Sequence, residues 1–206
     1  MKYEILQTLN YHSNYVYKII ELKNKNLVSC SEDLSIIFYL KDNNKYKKNY
    51  TISTDGECYS IIQTKDNEIC YSEENDNKIC FFDLLERKIE ASISNISKGN
   101  TDAIEWFIMI TKNLLLILGK EKISIINIEQ YKLIRIIEVQ NSDLICGVCM
   151  LNKYMLLTGD DVGIIRQWKI EGNNLVMVSM KENAHDEKIN VLLNIGNGFI
   201  DSRFLW

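Results

Sequence analysis

The chain has 206 residues, 46% of them apolar, with 24 basic and 28 acidic side chains and a net charge of -4. That apolar content argues against a disordered chain, and the acidic balance argues against a nucleic-acid binder, whose affinity rests on lysine and arginine against phosphate. No apolar run nears the ~20 residues that span a bilayer, and the N-terminus "MKYEILQTLNYHSNY" lacks a secretory signal, so an intracellular, cytoplasmic protein with six free thiols is expected.

Taken in chain order, the apolar segments are short. Residues 2–9 read as a lone strand before "NYHSN". Four segments follow: "YVYKIIEL" (15–22), "NLVSCS" (26–31), "SIIFYL" (35–40) and "KKNYTIS" (47–53). The basic run Lys41–Tyr50 reads as a solvated loop first and as a patch for an anionic partner second. A second set is "CYSIIQT", "EICYS", "KICFFDL" and "KIEASIS". A third is "IEWFIMIT", "LLLILG", "KISIINI" and "KLIRIIEV". A fourth is "LICGVCML", "YMLLTG", "GIIRQWKI" and "LVMVSMK". Isoleucine, valine and aromatics dominate, and Asn-, Lys- and Gly-bearing turns separate the segments, so each reads as a strand rather than a helix. The third strands end at Tyr39, Phe82, Ile126 and Trp168, at intervals of 43, 44 and 42 residues. A period of this size belongs to propeller blades of four strands.

The expected fold is therefore all-β: one domain over 1–206, a β-propeller of about five four-stranded antiparallel blades. The units run over about 11–53, 54–97, 98–139, 140–183 and 184–206. The N-terminal strand 2–9 is expected to complete the last blade and remove two exposed edges, the alternative being an incomplete ring.

The units resemble WD40 repeats, most clearly in "LQTLNYHSNYVYKIIELKNKNLVSCSEDLSIIFYL" (Leu6–Leu40) and "MLLTGDDVGIIRQWKI" (Met155–Ile170). The resemblance implies a structural hydrogen-bond network in each blade. In unit one it would join His12, Ser29 or Ser31, Asp33 and Tyr39, with tyrosine at the tryptophan position. In unit four it would join Thr158, Asp160 or Asp161 and Trp168. Asp76 and Phe82 remain in unit two, Lys120, Glu121 and Ile126 occupy those places in unit three, and His185 opens unit five.

Motifs that could carry chemistry have plainer readings. Cys146 and Cys149 form a CxxC, but on a strand positions three apart point to opposite faces, and no second pair completes a zinc site. His12, Ser31 and Asp33 have the composition of a hydrolytic triad without a nucleophile elbow. Gly196–Gly198 is a turn, not a phosphate loop. No catalytic residue, metal or cofactor is expected. The candidate partner-binding face is the loop side of the ring, with Tyr15, Tyr17, Glu57, Tyr59, Glu105, Trp106, Asp143 and Lys188. Aromatics among acids fit a protein or peptide partner of basic character. The expected function is a non-catalytic interaction scaffold or adaptor, with no nucleic-acid or membrane partner. The alternatives are a substrate-recognition propeller from a larger ubiquitin-ligase or kinase protein, and a propeller enzyme or small-ligand binder.

Overall fold

The computed structural model describes residues 4–94, 96, 106–119, 121–139, 145–194 and 200–201. Four sheets of four antiparallel strands follow one another along the chain. Blade 1 holds β1 (Val16–Glu21), β2 (Leu27–Ser31), β3 (Ser35–Asp42) and β4 (Lys45–Ser53). Blade 2 holds β5 (Ile61–Lys65), β6 (Glu68–Glu73), β7 (Lys78–Asp83) and β8 (Lys88–Ile93). Blade 3 holds β9 (Trp106–Met109), β10 (Leu114–Leu118), β11 (Lys122–Asn127) and β12 (Lys132–Glu138). Blade 4 holds β13 (Ile145–Asn152), β14 (Met155–Asp160), β15 (Ile165–Glu171) and β16 (Asn174–Lys181). A fifth sheet pairs β17 (Leu193–Asn194) with β18 (Ile200–Asp201). One 3-10 turn, Asn75–Asn77, is the helical element among the described residues.

The first strands β1, β5, β9, β13 and β17 neighbour one another in that order, so the blades fan around a common axis as in a β-propeller. The core lies between blades, not within one. The run Leu114–Leu118 shows why. Its side chains alternate, so Leu114, Leu116 and Leu118 pack on Ile145, Leu156 and Trp168 of blade 4. Leu115 and Ile117 pack on Cys70, Ile79 and Phe81 of blade 2. A strand covered on both faces reads as a continuous apolar run. Blade 2 does the same with Cys80 and Phe82 toward blade 1 and Ile79 and Phe81 toward blade 3. Each fully buried Leu or Ile contributes about 1.5–3 kcal/mol, which makes each blade depend on its neighbours.

The repeat interval has a structural mark. In each of the four four-stranded blades the outer strand carries one extra residue opposite the third strand, shifting register at Tyr39, Phe82, Ile126 and Trp168. The unpaired residues are Asn49, Glu90, Ile134 and Val178. Such bulges twist an edge strand away from flat pairing.

Two expectations are corrected. Residues 4–9 form no strand and do not complete the fifth sheet, whose described strands are β17 and β18 alone. The segment lies instead on blade 1, where the Gln7 amide donates to the Tyr46 carbonyl at 2.7 Å and accepts from the Tyr46 N–H at 2.8 Å. The basic run Lys41–Tyr50 is not a loop. Asn43 and Asn44, both at positive φ, make a tight turn from β3 into β4.

Candidate interaction face and the blade 1 network

Blade 1 contains a four-residue relay. Tyr39 and Ser29 hydroxyls lie 3.0 Å apart, Ser29 Oγ lies 2.6 Å from His12 Nε2, and His12 Nδ1 lies 2.9 Å from Asp33 Oδ2. The chain is satisfied in one direction, with each hydroxyl and the Nδ1–H donating toward the carboxylate. Asp33 also accepts from Ser35 Oγ at 2.5 Å and from the Ser13 N–H at 2.9 Å. Burial alone would raise its carboxyl, but the Ser35, Ser13 and His12 hydrogen bonds outweigh it and hold the pKa down to about 2.

Ser31 is not in the relay. Its hydroxyl donates to the Tyr15 carbonyl at 2.7 Å and accepts from the Asp33 N–H at 3.1 Å, fixing the entry to β1. Strand register explains the choice between the serines. Leu27 pairs with Tyr39, so Ser29, two residues on and on the same face, is the nearer one.

The same register argument sorts blade 4. Leu156 pairs with Trp168, and the indole N–H donates to Thr158 Oγ1 at 2.9 Å. Two residues further on, Asp160 is the buried aspartate. It accepts from the Val162 and Ile164 N–H groups and forms a buried ion pair with Arg166. Asp161 is the next residue, in the turn that follows β14. His185 is held through its main chain. Its backbone N–H donates to the Gly163 carbonyl at 3.2 Å and ties the fifth segment to blade 4. Sequence reasoning missed Arg166; a cation two residues from the tryptophan position, on its face, was the available signal. Asp76 falls in the 3-10 turn, and its side chain and Lys120 lie outside the described residues.

On the loop side, three of the expected residues converge. The Tyr17 and Tyr59 rings lie 4.5 Å apart, and both hydroxyls donate to Glu57 Oε2, at 3.2 and 2.7 Å. Burial, then the Glu57 carboxylate, pushes both phenols up; Glu32 adds to this at Tyr17 and Glu74 at Tyr59. Tyr15, two residues before Tyr17 in the chain, is 73% exposed, and Tyr17 is 40% exposed. Trp106 is placed differently. Lys18 of β1 lays its ammonium over the indole, 4.6 Å from the ring centroid, and burial lowers the lysine pKa. This joins blade 1 to blade 3 inside the ring of first strands. Lys188 is exposed on the segment before β17. Glu105 and Asp143 lie outside the described residues, as does Gly196–Gly198.

A second polar cluster, not foreseen, joins blades 2 and 3. Buried Glu68 accepts from Thr64 Oγ1, Lys65 Nζ and Tyr131 Oη at 2.5–2.9 Å. Tyr131 reaches it from the turn after β11, so only the tertiary fold brings them together. The thiols of Cys146 and Cys149 are both buried. Cys149 packs with Leu157, Ile189 and Leu192, and burial raises its pKa.

The fold compares with solved structures. A chain in a structure titled "Crystal Structure of Mitotic Checkpoint Complex" superposes with a TM-score of 0.74 at 16% identity, covering 91% of this chain and 57% of that chain. This likeness shows the propeller fold, and the chain spans less than two thirds of that neighbour. No family model and no curated protein matches the sequence. Among the described residues no helix is long and apolar enough to cross a membrane.

Proposed function

We propose that the chain is a non-catalytic protein-interaction scaffold of the WD-repeat type, and that its loop-side rim binds a basic segment of a protein partner. The observation that carries this is the Tyr17–Glu57–Tyr59 clasp, with Tyr15 exposed two residues before Tyr17. Tyrosine supplies rigid contact area with a polar tip, the pattern of interface anchors. Glu57 acts on both phenols, Glu32 on Tyr17 and Glu74 on Tyr59, so a guanidinium or ammonium is the complementary charge. The fold neighbour belongs to a protein complex by its title, which supports protein partners in general. The Ser29–His12–Asp33 order has the composition of a hydrolytic triad. We read it as structural, because Ser29 is buried and bonded on both sides, to His12 and to Tyr39.

Fluorescence polarisation with labelled Arg/Lys-rich peptides and matched Asp/Glu-rich peptides tests the reading. The basic set is expected to bind, and the double change Tyr17→Ala/Tyr59→Ala to weaken it about 10–100-fold. Equal binding of the acidic set, or an unchanged affinity in the double variant, would overturn it.

A further inference from the structure

Lys18 stands in the ring of first strands, partly buried, and its ammonium rests on the face of the Trp106 indole two blades away. Among the described residues no carboxylate or other acceptor pairs with it. Strand register shows what else stands at that depth. Lys18 pairs with Cys30, Trp106 with Leu118 and Gly147 with Gly159, and the Ser72 N–H donates to the Ser60 carbonyl at 2.9 Å. Cys30, Ser72, Leu118 and Gly159 pair in turn with Ile36, Ile79, Ile123 and Ile165. Each of those isoleucines lies three residues before the repeat position, at Tyr39, Phe82, Ile126 or Trp168. Lys18, Ser60, Trp106 and Gly147 are therefore equivalent residues of blades 1 to 4, and none of them is acidic. Ser60 is buried, and its hydroxyl finds no partner either among the described residues.

An ammonium drawn out of water is normally matched by an anion. A ring face returns only part of the lost hydration, and it engages one side of the group, leaving N–H donors unused. Burial lowers the lysine pKa and the neighbouring Cys30 thiol opposes it, with no carboxylate contributing. Lys18 and Trp106 both keep partial exposure, so the ammonium is reached from solvent. We propose that Lys18 anchors an anion site inside the ring, taking the carboxylate of a ligand that enters between the first strands. A single ammonium matches a monoanion, whereas a phosphate, with a charge nearer two, would keep part of its charge unmatched. The site does not rest on the rim reading, whose residues Tyr17, Glu57 and Tyr59 it does not use.

Sodium acetate titrated into the isotopically labelled full chain tests this by NMR, with sodium chloride and sodium phosphate at matched ionic strength as comparisons. The Trp106 indole N–H is expected to shift saturably with acetate, at about 1–50 mM. Lys18→Met is expected to lose that shift and Lys18→Arg to keep it. A second measurement reads the unaltered chain. The Lys18 ε-carbon, identified by its absence in Lys18→Arg, is expected to titrate at higher pH in saturating acetate, because a bound anion favours the charged amine. Short peptides separate the sources of the carboxylate. Tighter binding than acetate by amidated peptides with one Glu assigns a side chain, by unamidated peptides without Glu a chain terminus, and by neither a free small acid. A shift that does not saturate, that chloride or phosphate reproduces, or that survives in Lys18→Met overturns the proposal. So does a Lys18 titration unmoved by acetate.

Discussion

His12 links Ser29 to Asp33, accepting at one ring nitrogen and donating at the other. Replacing it with alanine leaves Ser29 without its acceptor and Asp33 without one donor, both out of bulk water. The expected loss is about 1–3 kcal/mol per orphaned group, read as a lower urea midpoint with an unchanged slope. Asp33 adds a pH dependence whose sign is fixed. Its folded pKa of about 2 lies below the ordinary 3.8, so its contribution is fully present above about pH 4 and is lost as pH falls toward 2. Asp33→Asn should flatten acid denaturation in that window, and an unchanged acid limb would contradict the assignment. Arg166 is the corresponding residue in blade 4. Arg166→Ala strands the buried Asp160 carboxylate and is expected to cost about 3–5 kcal/mol in the same urea assay. At this scale the sequence was partly legible: it named His12, Asp33, Tyr39, Thr158 and Trp168 as a group by resemblance. It left Ser29 against Ser31 and Asp160 against Asp161 open, because only the strand register decides which neighbour reaches the relay.

Strand assignment was the most legible level. The segments read from β-branched and aromatic runs coincide with β1–β16 to within a few residues, since each run is bounded by turn residues that will not extend it. The joins between elements were less so. Gly163 has a φ of 81°, and a Cβ built there would lie 2.1 Å from the His185 carbonyl oxygen. Gly163→Ala is therefore expected to destabilise by more than about 1 kcal/mol and to loosen the segment from His185 to Ile189. Hydrogen exchange should show faster exchange of the His185 and Ile189 amides, which bond to Gly163 and Asp160. Leu116→Ala tests the inter-blade core. It is expected to cost about 2–5 kcal/mol, because both blade 3 and blade 4 lose contact with it.

For the molecule as a whole, the N-terminal segment belongs to blade 1. Tyr11 lies 6.0 Å from Tyr39, and His12 and Gln7 hold the segment across the face that carries Ser29, Ile37 and Tyr39. Deleting residues 1–12 is expected to lower the melting temperature and raise dye binding, since those buried groups then face water. An unchanged melting curve would show that the segment is dispensable.

The repeat period, the strands and the all-β class were determined by the sequence, because period-two patterning and turn chemistry act over a few residues. Which serine joins His12, where the first segment lies, how Tyr131 meets Glu68 and how Lys18 meets Trp106 were decided only by the tertiary structure. Those pairings join residues 17 to 88 positions apart, and the packing of one blade on another sets them.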